Sequence, residues 1–136
     1  RAGFGHMPGL EMPVEEREQL QQEFAQDDTF SSALAKMMVA RDLTVKELSR
    51  KSNLSTARLT SFLKGQMPSK AQAMAVAMGM ELELTYARQL LATARLFLDA
   101  TEDQDLLVEY CMINGKYDTI LANQLLFAMD LPQLIW

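Results

Sequence analysis

The chain has 136 residues, 49% of them hydrophobic and 23% charged, with a formal net charge of −5. That balance suits one soluble domain, or a small domain with an extension packed on it. No apolar run approaches the roughly 18 residues of a membrane span, and the single Cys111 excludes an internal disulfide framework, which points to a reducing, cytoplasmic setting.

The opening RAGFGHMPG reads as a cloning remnant ending at Met7, so residues 1–13 are expected to be that remnant and a flexible start, with no secretory signal. It contains the only histidine, His6. Residues 14–28 follow as a helical lead-in whose apolar stripe, Val14, Leu20 and Phe24, is thin. Asp27, Asp28 and Thr29 suit the cap of a new helix. Phe30, Leu34, Met37 and Met38 then recur at helical spacing until Arg41-Asp42.

Thr44 with Glu47 three residues on forms a capping box for VKELSRKS. Asn53 suits a left-handed turn, and Ser55 caps a helix over Thr56–Lys64 that turns Leu59, Phe62 and Leu63 inward and stops at Gly65. Pro68-Ser69 opens a further helix through AQAMAVAMGMEL. The pattern of TYARQLLATARLFL predicts another, with Tyr86, Leu90, Leu91, Ala94 and Phe97 inward. After the acidic break at 99–103, DLLVEYCMING and TILANQLLFAMD complete a set of about eight short helices, with Tyr110, Tyr117 and Phe127 as expected packing anchors. No strand-length alternation occurs, so the expected fold is all-α.

Charge is unevenly distributed. Residues 31–70 balance at +6, residues 1–30 at −5 and residues 71–136 at −6. A basic segment on an acidic body is the signature of a polyanion-facing surface, and equally of ordinary solvated helix faces.

The colinear set "LTVKELSRKSNLSTARLTSFLKGQMPS", "AQAMAVAMGMEL" and "LTYARQLL" resembles the XRE/Cro-type helix-turn-helix family over residues 32–98. The resemblance implies a five-helix core over 29–98 with additional C-terminal helices, residues 99–136, packed on it. Within it Ser49 takes the small-residue position at the helix crossing. The stretch from Asp105 to Leu134 more dimly resembles a helical extension that follows divergent domains of this type.

The implied function is a DNA-binding transcriptional regulator, a homodimer, with the recognition helix at about 56–64 in the major groove of double-stranded DNA. Thr56, Ala57, Arg58, Thr60 and Ser61 are the implied base-contacting positions, and Lys46, Arg50, Lys64 and Lys70 the phosphate contacts. Val45 stands where the family typically has a phosphate-touching Gln, and the reading positions, Arg58 apart, are short. The alternative is a protein–protein interaction module that keeps the scaffold without sequence-specific DNA binding.

Other constellations have blander explanations. Met37, Met38, Met74, Met78 and Met80 suit core filling. Residues 99–105, DATEDQD, lack EF-hand spacing and suit a solvated turn. Cys111 has no histidine partner outside the presumed remnant, and no glycine-rich phosphate loop occurs. No enzymatic activity, cofactor, metal or membrane association is expected. The end, LPQLIW, suits either a dimer seam or packing back on its own domain.

Overall fold

The computed structural model describes residues 29–135. Among them the fold is all-α, with seven helices and no strand: α1 Phe30–Ala40, α2 Val45–Ser52, α3 Thr56–Leu63, α4 Lys70–Gly79, α5 Leu84–Thr93, α6 Asp103–Ile113 and α7 Thr119–Ala128. The helix expected over 14–27 lies outside the described residues.

Local chemistry starts and stops these helices. Thr29, Thr44, Ser55, Ser69 and Asp118 each accept a backbone N–H at a helix start, satisfying donors that have no partner inside the helix. Reciprocal capping boxes form at Thr44 with Glu47 and at Ser69 with Gln72. Every helix ends on a residue with positive φ: Asp42, Asn53, Gly65, Glu81, Arg95, Gly115 and Asp130. In six of them the next residue donates its N–H to the carbonyl five residues back, as Leu43 does to Met38 at 2.8 Å and Leu131 to Leu126 at 2.8 Å.

α4 lies at the centre. It packs on α2, α5 and α7, while α1 packs on α3 and α5 and α6 on α5 and α7. Residues Ala73 through Met80 are all buried, which a helix tolerates only with apolar side chains on every side. Phe30 and Phe62 meet edge to face, centroids 5.8 Å apart, an arrangement contributing about 0.5–1.5 kcal/mol beyond burial. Met37, Met38, Met74, Met78 and Met80 all sit in the core.

Three sequence expectations need correction. The fifth helix stops at Thr93 rather than running to Leu98, because Arg95 turns left-handed (φ 60°) and Leu96 closes onto Leu91. Phe97 consequently points out, 68% exposed. Tyr110 and Phe127 are likewise exposed, whereas Tyr117 is half-buried and donates its O–H to Leu82 O at 3.0 Å. The Ser49 hydroxyl donates to Leu54 O at 2.6 Å, pinning the α2–α3 turn.

α2 and α4 approach closely at Ser52 and Gly79, where a Cβ on Gly79 would lie 2.7 Å from Ser52 Cβ and 2.9 Å from Ser52 Cα. Gly79→Ala removes a helix-propensity penalty of about 1 kcal/mol at most, but the clash is with backbone, and overpacking of this kind costs about 1–3 kcal/mol. The expected result is net destabilisation by about 1–2 kcal/mol, seen as a lower urea midpoint at unchanged slope. A raised midpoint would show that α2 and α4 separate freely.

Candidate nucleic-acid interface

α2 and α3 are two eight-residue helices joined by Asn53, Leu54 and Ser55. Asn53 is left-handed (φ 63°), and its N–H closes α2 on Ser49 O. Ser52 Oγ accepts the Leu54 N–H at 3.2 Å, and Ser55 Oγ accepts the Arg58 N–H at 3.0 Å. Beneath the pair, Leu48, Leu54, Leu59 and Phe62 are buried. The orientation of the outer faces is therefore fixed by packing below and backbone hydrogen bonding between.

On the outer face of α3, Thr56, Ala57 and Arg58 are exposed, while Thr60 and Ser61 are half-buried one turn later. Ser61 Oγ donates to Arg58 O at 2.7 Å, so its hydroxyl proton is already used within the helix. Lys46 and Arg50 on α2 and Lys64 at the end of α3 are exposed. Val45 is half-buried against the core, a packing residue rather than a surface contact.

Lys70 departs from the expected phosphate set. Its ammonium pairs with Asp105, whose side chain is 2% exposed. The same carboxylate accepts the Asp99 N–H at 2.7 Å. Residues 99–105 are thus not simply a solvated turn. Asp105 sits in the first turn of α6, where helix polarity also favours an anion, and ties that helix to the start of α4. Asp99 accepts from Thr101's N–H and hydroxyl, which hold its carboxyl below the usual range.

Ion pairing sorts the cations. Lys51 is held by Glu81 at 3.0 Å, Arg88 by Glu109 at 2.9 Å, and Lys70 by Asp105. Among the described residues, Arg41, Lys46, Arg50, Arg58, Lys64, Arg95 and Lys116 make no ion pair. Four of those seven lie on α2, α3 or the α3 cap. Glu47, the acid on this face, is engaged by Thr44's N–H and hydroxyl, which lower its pKa ahead of the smaller influence of Arg50 and Lys51.

The two C-terminal helices reach this region. Asn53 Nδ2 donates to Thr119 Oγ1 at 2.6 Å, joining the α2–α3 turn to the start of α7. The last described residues fold back as well. Asn123 Oδ1 accepts the N–H groups of Leu134 and Ile135 at 2.7 and 3.1 Å, its amide donates to Ile135 O, and Gln104 donates to Pro132 O at 2.7 Å. Leu134 is buried. Of the two roles open to LPQLIW, its described residues take the intramolecular one. An open cavity of about 460 Å³ results, lined by Asn53, Leu54, Ser55 and Arg58, by Ser69 and Gln72 of the α4 start, and by Leu134 and Ile135. The sequence signal for this folding-back was Asn123, a polar residue within a helix that carries no charged side chain.

No group of three or more His, Cys, Asp or Glu among the described residues could hold a metal ion. No helix among them is long and apolar enough to cross a membrane. Cys111 is buried, and burial pushes its thiol up. Comparison with family models, with curated proteins and with solved structures finds no match to this chain.

Two outcomes follow. Lys70→Met leaves Asp105 buried without its cation and should lower stability by about 1–3 kcal/mol, since stranding a buried charge is costly. Lys64→Met, at an exposed unpaired site, should change it by less than about 0.5 kcal/mol. Urea unfolding of both variants distinguishes an internal tie from a surface charge. Cys111 should react with a thiol reagent only under unfolding conditions, and prompt labelling of the native chain would contradict its burial.

Proposed function

We propose that α2 and α3 form a helix-turn-helix of the XRE/Cro type, within a core of α1 to α5, and that the protein is a DNA-binding transcriptional regulator. The single observation that supports this best is the concentration of unpaired cations. Lys46, Arg50, Arg58 and Lys64 are exposed together without an acidic partner, while Lys51, Lys70 and Arg88 are each held in an ion pair. Cations kept free on one pair of helices suit a phosphate backbone, where each contact releases a condensed counterion.

In this arrangement α3 enters the major groove by its start, with Thr56 and Ala57 toward base edges and Thr60 and Ser61 one turn behind. The Thr hydroxyls are single hydrogen-bonding groups, and Ala57 or a Thr methyl suits a thymine methyl. Arg58 is the one long donor, able to engage guanine or phosphate. Selectivity from so few reaching groups is modest, and DNA shape supplies part of it. The second reading, a protein-interaction module on the same scaffold, is favoured by the uncharged outer face of α7, where Ile120, Leu121, Leu125 and Phe127 are exposed beside Gln124.

Fluorescence-anisotropy titration of duplex DNA tests the proposal. Four phosphate contacts per chain give a slope of log affinity against log salt of about −4, a loss of roughly 100-fold between 50 and 200 mM salt. Each of Lys46→Ala, Arg50→Ala and Lys64→Ala should reduce that slope by about one. Thr56→Ala combined with Thr60→Ala should alter preference among sequences and leave the slope unchanged. Absence of binding at about 50 mM salt, where phosphate contacts alone suffice, would sink the DNA proposal and leave the protein-interaction reading.

A further inference from the structure

The start of α1 is fastened to α3. Phe30 meets Phe62 edge to face, and Ser31 Oγ donates at 2.6 Å to the carbonyl of Leu63, the last residue of α3. The chain therefore enters the described fold, at Thr29, beside the end of α3 that is capped by the exposed Lys64. Immediately before Thr29 the sequence reads EEREQLQQEFAQDD. Residues 15–28 thus carry six acids against the single Arg17, a balance of −5.

We propose that this acidic segment docks on the outer face of α2 and α3, its glutamates pairing with Lys46, Arg50, Arg58 and Lys64, and competes there with duplex DNA. Three observations favour that occupant. Among the described residues the four exposed cations have no acidic partner, and Glu47, the acid on their face, is engaged by the Thr44 cap. The segment supplies the charge that the face lacks, with Glu15, Glu16, Glu18 and Glu23 against four cations. It is also tethered at the right place. Lys64 and Arg58 lie about 9 Å apart along α3 at 1.5 Å per residue, whereas the six residues from Glu23 to Thr29 reach up to about 20 Å when extended. Single exposed ion pairs contribute little, but a tethered segment meets its target at an effective concentration on the order of millimolar. The docking needs only the cations; its effect on DNA rests on the function proposed above.

Zero-length carbodiimide coupling of the dilute full chain, mapped by peptide mass spectrometry, tests the docking without DNA. Expected are links within one chain from Glu15, Glu16, Glu18 or Glu23 to Lys46 or Lys64. They should vanish at about 1 M salt, where the screening length falls to about 3 Å. Links confined to other lysines, links only between chains, or no links at all overturn the proposal. In anisotropy titrations at about 50 mM salt, Glu15→Gln, Glu18→Gln and Glu23→Gln together should raise duplex affinity about tenfold, roughly twofold for each exposed pair removed. Glu102→Gln, Asp103→Asn and Asp130→Asn together remove the same charge from exposed sites on the C-terminal part. That control should raise affinity by less than about threefold, because charges off the face are screened. An equal rise in both triple variants makes the effect one of net charge and overturns the proposal. A chain that forms the Lys46 or Lys64 links but binds no duplex in any variant supports the docking and defeats the DNA reading alone.

Discussion

The backbone contact between Gly79 of α4 and Ser52 of α2 is the constraint on which the rest of the molecule depends. No side chain fits between the two helices there. Their separation is set by main-chain atoms, which do not repack as leucines and methionines do. α2 is thereby held at a fixed distance, Ser52 is left with its hydroxyl free to accept the Leu54 N–H, and the turn into α3 begins from a defined place. A larger residue at either position would displace α2, and with it the presentation of α3. The cost of so close an approach is a central helix with little polar character, and α4 accordingly buries every residue from Ala73 to Gly79.

α6 and α7 are joined to this centre by directional polar contacts as well as by packing. Lys70 with Asp105, Asn53 with Thr119, and Tyr117 with the Leu82 carbonyl each tie one atom of the C-terminal helices to one atom of the first five. A buried ion pair adds little net stability over a well-packed apolar pair, but it strongly penalises arrangements that leave one charge alone. Hydrogen bonds at helix starts act in the same sense. The result is a single preferred docking, which carries the end of the chain to the first turn of α3. A purely apolar seam of the same area would tolerate sliding, and the cavity beside Arg58 would have no fixed wall.

Helix starts were legible in the sequence because their chemistry is local. Thr44, Ser55 and Ser69 are capping residues by type, and Glu47 and Gln72 complete their boxes by spacing. Stops were legible at Gly65, Gly115 and Asn53, residues suited to positive φ. They were not legible at Arg95, where an ordinary residue adopts the left-handed conformation because Leu96 gains burial by turning back onto Leu91. That is a tertiary gain invisible to periodicity, and it explains the overrun of α5 and the misplacement of Phe97. Asp105 was misjudged for a related reason. In a run of acids nothing local distinguishes the one that a lysine 35 positions earlier will cover. The pairing of Lys70 was not legible either, since a surface cation and half of an internal pair look alike in sequence. The exposed faces of Tyr110 and Phe127 reflect a composition suited to burial whose covering is not supplied by the described residues.

The same ion pairs resolve the apparent conflict between an acidic chain and a cationic surface. Net charge is a sum over the molecule, whereas a polyanion at the surface responds to charges within about 8–10 Å, the screening length near physiological salt. Glu81 pairs with Lys51 of α2, Asp105 with Lys70 and Glu109 with Arg88, and Glu47 is drawn into a cap. Acids placed this way do not dilute the field of Lys46, Arg50, Arg58 and Lys64. They hold Lys51, Lys70 and Arg88 in pairs, so that a chain of net charge −5 still presents Lys46, Arg50, Arg58 and Lys64 exposed and unpaired on neighbouring helices. Selectivity of orientation then follows from where the carboxylates are, as much as from where the lysines and arginines are.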